Sequence, residues 1–281
     1  TPLGTGVLFS ALLAAVTPTA TAQERSGFSW DRVPLYVHFG QRNGDLTDDQ
    51  IAFLARHSRL ITLEKGHGAK VHGSTERGIA DTARRIKKLN SDVKVLFYFN
   101  AFINWPGYEA FATYRDEWTL RGADGCVVQH PSGTPRPDPS NAEFREWWAD
   151  VVAKVHEEAP LDGVFVDALP QAFSPSLAQQ VGAAKARAII EGLREMIALT
   201  RRKLGPGRII IANGLRAGAY EEILDWEGID FVFIEHFASF ATDSPDDIKA
   251  DLDSIQRAAA KGKSVIIKGW PGFNWLDKEM M

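Results

Sequence analysis

The chain has 281 residues, a formal net charge of −4 and a sequence pI near 6.0. Its 44% hydrophobic and 24% charged residues are typical of a soluble globular protein. The mild acidity gives no electrostatic basis for binding nucleic acid or an anionic membrane surface. Cys126 is the single cysteine, which excludes an intrachain disulfide.

The N-terminus has the pattern of an export signal. Residues 6–16 form a short apolar run, and Ala20-Thr21-Ala22 is a small-x-small cleavage site before Gln23. The run is too short to span a membrane. We therefore predict a signal peptide over residues 1–22 whose start is incomplete, and a secreted or periplasmic protein. An apolar disordered tail is the alternative.

Seven short apolar runs follow, rich in β-branched and aromatic residues, and most end in a polar or ionisable residue. They cover residues 35–38, 60–64, 95–100, 163–167, 209–213, 231–235 and 265–268. Continuous apolar runs of this kind favour parallel strands that are covered on both faces.

Helical periodicity occupies the intervals between these runs. It covers residues 46–56, 76–89, 140–155, 177–204, 220–226 and 248–259. Thr47 or Asp48 is the predicted N-cap of the first helix, and Ser140 with Glu143 matches a capping box. The long helix 177–204 is predicted to be continuous and to stop at Gly205-Pro206.

Strands alternating with helices predict an α/β fold, a (β/α)8 TIM barrel over residues 23–281. Only seven strands are visible, and the thirteen residues after Lys268 are too few for another helix and strand. We therefore expect the barrel to be truncated at its C-terminus, without its last β/α unit. A doubly wound open sheet is the alternative, but no Gly-rich phosphate loop follows the first strand.

The segment 101–139 contains no convincing helix or strand but holds six aromatic residues, Trp105 among them. Disordered segments are poor in aromatics. The segment is predicted to fold over the barrel mouth, and a purely structural flap is the alternative.

Two acidic residues end strands directly. Asp167 follows the fourth strand and Glu235 the sixth, and the C-terminal strand ends of a barrel form its active site. Two such carboxylates suit glycoside hydrolysis, in which one stays ionised and the other donates a proton. The alternatives are a loop cap or ion-pair partner for Asp167, and a buried ion pair with Lys268 for Glu235.

The remaining candidates are polar or aromatic residues near the same strand ends, suited to sugar hydroxyls and to the C–H face of a pyranose ring. The predicted substrate-binding residues are His38, Glu64, Lys65, Asn100, Trp105, Asn213, Lys268 and Trp270. Each could equally brace the rim of the barrel.

A metal-assisted reaction is a further alternative. Ligand types for Zn²⁺ occur at His38, Glu64, His67, His72 and Asp167. No His-x-His, His-Glu-x-x-His or cysteine cluster is present, so no metal site is predicted. No nucleotide-binding loop or Gly-x-Ser-x-Gly elbow occurs, so neither an organic cofactor nor a serine nucleophile is predicted.

Five segments resemble a bacterial family of glycosyl-hydrolase-like proteins with a TIM-barrel fold: residues 30–40, 61–66, 95–100, 138–148 and 163–169. The chain is more distantly similar to the retaining α-galactosidase clan and to endo-α-galactosaminidase-like barrels. That similarity implies Asp167 as nucleophile and Glu235 as acid/base. It follows strand order alone, so the two roles could be exchanged.

Together these features predict an exported glycoside hydrolase that cleaves a polysaccharide or glycoconjugate by a two-carboxylate mechanism. A carbohydrate is the predicted partner, with no nucleic acid and no membrane span. A non-catalytic carbohydrate-binding barrel is the main alternative, followed by a metal-assisted hydrolase.

Overall fold

The computed structural model describes residues 35–240 and 242–269. The predicted export signal and Trp270 lie outside these residues. No helix in the described ranges has the length and apolar character needed to cross a membrane.

The described chain contains one parallel sheet of seven strands, and each strand pairs with the next in chain order. The strands are β1 (Tyr36–Phe39), β2 (Leu60–Leu63), β3 (Lys94–Asn100), β4 (Gly163–Asp167), β5 (Ile209–Leu215), β6 (Phe231–Phe237) and β7 (Ser264–Gly269). All seven predicted strands are confirmed to within about two residues. The fold is a nearly closed (β/α) barrel rather than an open doubly wound sheet.

Large side chains fill the inside of the sheet and show how strongly it curls. The ring of Tyr36 on β1 lies 5.8 Å from that of Phe233 on β6, and Phe165 on β4 lies 5.3 Å from Phe233. Strands far apart in the order therefore meet across the interior. A packed interior of this kind is typical of TIM barrels, and the functional face is then the mouth at the C-terminal strand ends.

The helices lie between successive strands and form the outer layer. They are α1 (Asp48–His57), α2 (Ala69–His72), α3 (Thr75–Leu89), α4 (Ala142–Glu158), α5 (Pro175–Val181), α6 (Ala183–Leu204) and α7 (Pro245–Ala260). Their apolar faces and the outward side chains of the strands make the larger of the two hydrophobic cores. Thr47, one of the two predicted N-caps, caps α1 and forms a full capping box with Gln50.

Two helix predictions are wrong in detail. Asn141, not Ser140, caps α4, because its side-chain oxygen accepts from the backbone N–H groups of Glu143 and Phe144. The predicted continuous helix 177–204 is divided at Gly182, whose φ of 84° and ψ of 150° cannot occur within a helix.

The long loop 101–139 folds mainly against the outside of the barrel. Phe102, Tyr108 and Trp118 are buried in the outer core, and Phe111 stacks on Trp147 of α4. These contacts favour the structural alternative for most of the loop. Trp105 differs, because it packs against both the outer core and the inner cluster.

Candidate active site

Asp167 and Glu235 lie at the C-terminal ends of β4 and β6, with β5 between them. The side-chain nitrogen of Asn213 on β5 donates to Asp167 Oδ1 at 2.9 Å and to Glu235 Oε2 at 3.0 Å. Because both oxygens lie within 3.0 Å of one nitrogen, they are at most about 6 Å apart. The two carboxylates therefore face one another across a single amide.

Four hydrogen-bond donors converge on the Asp167 carboxylate. Besides Asn213, they are the Tyr98 hydroxyl, Asn100 Nδ2 at 3.3 Å and the Ala168 backbone N–H at 2.7 Å. Burial, followed by the charge of Asp167, raises the pKa of Tyr98 well above its ordinary value, so its hydroxyl keeps the proton that it donates. The hydrogen bond from the Ala168 N–H matches the alternative in which Asp167 caps the following loop. It occupies only one of the two carboxylate oxygens, Oδ1.

Glu235 has a more open and more cationic environment. Lys268 Nζ lies 3.6 Å from its Oε1, and His236 Nε2 lies 3.9 Å from its Oε2. The ion pair with Lys268 is not buried, because the two side chains are 36% and 35% exposed. Burial lowers the pKa of His236, which favours the neutral imidazole beside Glu235 although the Glu235 charge opposes this.

Two irregularities in strand pairing lie at this mouth. The β5–β6 register shifts between Asn213 and Leu215, and the β6–β7 register shifts between Ile234 and Phe237. Bulges bend a strand and redirect its side chains, and they are frequent next to active sites. The shifts coincide with Asn213 and Glu235, two of the three residues in the bridge.

A second charged group lies at the ends of β1 and β2. His38 Nε2 is 3.1 Å from Glu64 Oε1, and Lys65 Nζ is 3.1 Å from Glu64 Oε2. Burial raises the pKa of Glu64, but the hydrogen bond with His38 and the charge of Lys65 outweigh it and lower the pKa to about 2. Lys65 Nζ also lies 4.7 Å from the centre of the Tyr98 ring, which connects this group to Asp167.

Trp105 lies at the edge of the same region. Its ring centre is 5.5 Å from Lys65 Nζ and 5.5 Å from the ring of His130. Of the predicted substrate-binding residues, Asn100, Asn213 and Lys268 therefore contact one or both carboxylates. Tyr98 connects the carboxylates to a second set of predicted residues: His38, Glu64, Lys65 and Trp105. The roles of these residues stay predictions.

The histidines of the loop after β2 do not join Asp167. His67 accepts from the Gln41 N–H at 3.0 Å and lies 2.8 Å from Thr82 Oγ1, and burial lowers its pKa to about 4, so it is a neutral structural residue. Within residues 35–240 and 242–269, the one group of three potential metal ligands is Asp45, His72 and Asp81.

This group already contains a cation. Arg85 Nη1 lies 3.5 Å from Asp45 Oδ2 and 3.7 Å from Asp81 Oδ2. The guanidinium neutralises the carboxylates that a metal ion would need, and none of these residues contacts Asp167 or Glu235. Among the described residues, no group of three potential metal ligands lies at the barrel mouth.

Tyr98 is the site residue that the sequence analysis missed. It lies inside the apolar run of β3, where an aromatic residue is expected to be core. Side chains two residues apart on a strand share a face, so Tyr98 and the candidate Asn100 point to the same side. The spacing of two residues between Tyr98 and Asn100 is the sequence feature that indicates a place for Tyr98 in the site.

A nearly closed parallel barrel with paired acidic residues at its C-terminal mouth has the architecture of a glycoside hydrolase. The chain belongs to hypothetical glycosyl hydrolase family 15, whose model matches residues 87–280. No curated protein matches the sequence.

Solved structures with a similar fold are also named for carbohydrate chemistry. The glycoside hydrolase domain of PelA from Pseudomonas aeruginosa aligns with a TM-score of 0.59 and 15% identity, covering 84% of this chain and 83% of that one. Cycloisomaltooligosaccharide glucanotransferase from Paenibacillus sp. aligns with a TM-score of 0.53 and 13% identity, over 85% and 38%. The α-galactosidase AgaA from Geobacillus stearothermophilus gives 0.51 and 14%, over 82% and 33%. At these identities the likeness establishes the fold alone.

Proposed function

We propose that this protein is an exported glycoside hydrolase that cleaves a polysaccharide or glycoconjugate with retention of anomeric configuration. The observation that supports this most directly is the Asn213 amide shared by Asp167 and Glu235. Retaining enzymes hold their carboxyl groups about 5–5.5 Å apart, whereas inverting enzymes need about 6.5–9.5 Å to admit a water. A limit of about 6 Å between the bridged oxygens fits the retaining arrangement.

In this proposal Asp167 is the nucleophile. Four donors around its oxygens suit a carboxylate that stays ionised and keeps one orientation. An Asp167 oxygen forms a bond to the anomeric carbon while the bond from that carbon to the glycosidic oxygen breaks. The product of this step is a covalent glycosyl-enzyme.

Glu235 is the acid/base. Its partial exposure lets it reach both the leaving group and solvent. It protonates the departing glycosidic oxygen in the first step. In the second step it takes a proton from water, whose oxygen attacks the anomeric carbon and releases Asp167.

Loss of either carboxylate tests the proposal. Asp167→Asn is expected to bring hydrolysis below detection, and Glu235→Gln to lower kcat about 10²–10⁴-fold on substrates with poor leaving groups. Asp49→Asn and Glu227→Gln remove exposed carboxylates that take no part in the Asn213 bridge and are the matched controls. The measurement is hydrolysis of a panel of aryl glycosides and bacterial polysaccharides.

The assignment of roles has its own test. With an activated aryl glycoside, Glu235→Gln should accumulate glycosyl-enzyme, and added azide should restore turnover and give a glycosyl azide of retained configuration. If azide instead restores turnover of Asp167→Asn and gives a glycosyl azide of retained configuration, Glu235 is not the acid/base, and the roles of nucleophile and acid/base are the reverse of those proposed. Wild-type hydrolysis by both variants would reject the mechanism, and glycan binding without turnover would favour a carbohydrate-binding barrel.

A further inference from the structure

A cavity of about 380 Å³ lies beside the barrel mouth, between the loops that follow β3 and β4. Its walls come from the arm 119–137 of the long loop, from the 3₁₀ turn Leu169–Phe173 and from α5. Its lining includes His130, Arg136, Gln171 and Gln180. Both loops leave the C-terminal ends of their strands, which is the end of the barrel that carries the carboxylates.

Contacts connect the cavity to Asp167 in two ways. Gln171 is four residues beyond Asp167, and its N–H donates to the Ala168 carbonyl at 3.2 Å. On the other side, His130 touches Trp105, whose ring lies beside Lys65. A sugar unit in the cavity would therefore be a near neighbour of one at Asp167.

The cavity has a positive wall and no acidic one. Arg136 is 9% exposed, donates to the Phe102 carbonyl at 3.1 Å and lies over the Phe102 ring at 4.8 Å. It forms no ion pair with any carboxylate of the described residues, and no lining residue is Asp or Glu. A buried guanidinium without a carboxylate is costly unless a ligand supplies the negative charge.

Two further polar atoms close by lack a hydrogen-bond partner among the described residues. The amide oxygen of Gln171 and the indole N–H of Trp105 are buried without a hydrogen-bond partner in the part of the chain that the structure describes. An acceptor and a donor at such positions suit sugar hydroxyls, and an indole face suits the C–H face of a sugar ring.

We propose that this cavity is a subsite for an anionic sugar unit of the substrate, with Arg136 binding its carboxylate or sulfate group. The inference rests on the proposed function, since it places this unit next to the glycosidic bond cleaved at Asp167. A guanidinium can bind a carboxylate or sulfate through two parallel N–H donors, whereas an ammonium acts as a point charge.

Calorimetric titration of the full chain with the Asp167→Asn change tests the subsite without turnover. The probes are trigalacturonate, a hyaluronan hexasaccharide, a carrageenan tetrasaccharide, and the carboxyl-reduced or desulfated counterpart of each. We expect at least one acidic probe to bind at least tenfold tighter than its neutral counterpart. Whether that probe is carboxylated or sulfated identifies the anionic group. Equal or undetectable binding of all the pairs would overturn the proposal.

Arg136→Gln should lower affinity for the preferred acidic probe at least tenfold and leave the neutral counterpart unchanged. Arg136→Lys should recover only part of the loss. Melting curves of both variants establish that they fold. Unchanged acidic binding by a folded Arg136→Gln protein would contradict the assignment.

A matched pair on α5 tests the charge without altering the buried arginine. Gln180 is exposed and lines the cavity, whereas its exposed neighbour Gln179 does not. Gln180→Glu should weaken binding of the acidic probe severalfold, and Gln179→Glu should not. Equal effects of the two changes would contradict a localised subsite.

The outcome is separable from that of the proposed function. Charge-dependent binding together with failed hydrolysis in the Asp167 and Glu235 tests would support an anionic-glycan-binding barrel. Hydrolysis of neutral glycans with no effect of Arg136→Gln would retain the enzyme and reject the subsite.

Discussion

Asn213 is the residue that makes one site out of two separate strand ends. Its amide nitrogen is shared between carboxylates that would otherwise repel each other at short range. Asp167 has three further donors, whereas Glu235 lies beside Lys268 and His236. The two carboxylates therefore occupy different environments, as a division between nucleophile and proton donor requires.

Glu64 gives the clearest pH prediction at the scale of a residue. Folding lowers its pKa from 4.5 to about 2, so between these values the unfolded chain binds more protons than the folded one. Its contribution to stability is fully present above about pH 4.5 and is lost as the pH falls toward 2.

We therefore expect Glu64→Gln to lower the free energy of unfolding by on the order of 2 kcal/mol near pH 6, less than the full shift because the side chain is 25% exposed. The difference from wild type should shrink between pH 4.5 and 2. Urea unfolding at several pH values measures it, with Glu227→Gln as control. A difference independent of pH would show that the group with His38 and Lys65 does not lower the Glu64 pKa.

At the scale of elements, β4 positions Asp167, and its first residue decides how closely β4 approaches β5. A Cβ on Gly163 would lie 1.9 Å from the Ile209 carbonyl oxygen, which is far inside van der Waals contact. The glycine is therefore a condition for the pairing that places Asp167 next to Asn213.

Gly163→Ala is expected to destabilise the protein by about 3 kcal/mol, because the backbones of β4 and β5 must separate. For a chain of this size that corresponds to a Tm lower by roughly 6–12 °C. Gly207→Ala is the matched control, since a Cβ there meets nothing within 4 Å. Equal Tm values for the two variants, measured by circular dichroism, would contradict the close approach.

At the scale of the whole molecule, the inward rings join β1, β4 and β6 and bring the strand ends around one mouth. Among the described residues no three potential metal ligands gather there, and His67 and His72 do not join Asp167. His67 is held by Gln41 and Thr82, while His72 pairs with Asp45 and Asp81 beside Arg85.

Turnover is therefore expected to be unchanged after incubation with EDTA and removal of the chelator. The measurement is kcat on a glycoside that the untreated protein hydrolyses, with a melting curve to follow stability. Loss of activity that Zn²⁺ or Ca²⁺ restores would reinstate the metal-assisted alternative.

The sequence by itself determined the strands, the barrel and the two acidic strand ends. Continuous apolar runs and their polar C-terminal residues are local features, and parallel strands in chain order leave few topologies to consider. Two helix details were wrong, since Asn141 rather than Ser140 caps α4 and the predicted long helix is divided at Gly182.

Only the tertiary structure decided which side chains meet. The Asn213 bridge lies where the register shifts in the β5–β6 and β6–β7 pairs, and the donation to Asp167 comes from Tyr98, a residue of core type. The cavity around Arg136 arises from two loops that are distant in the chain. Hydrophobic periodicity sets which face of a strand is buried, whereas hydrogen bonds between strands depend on register and distance, which no local pattern encodes.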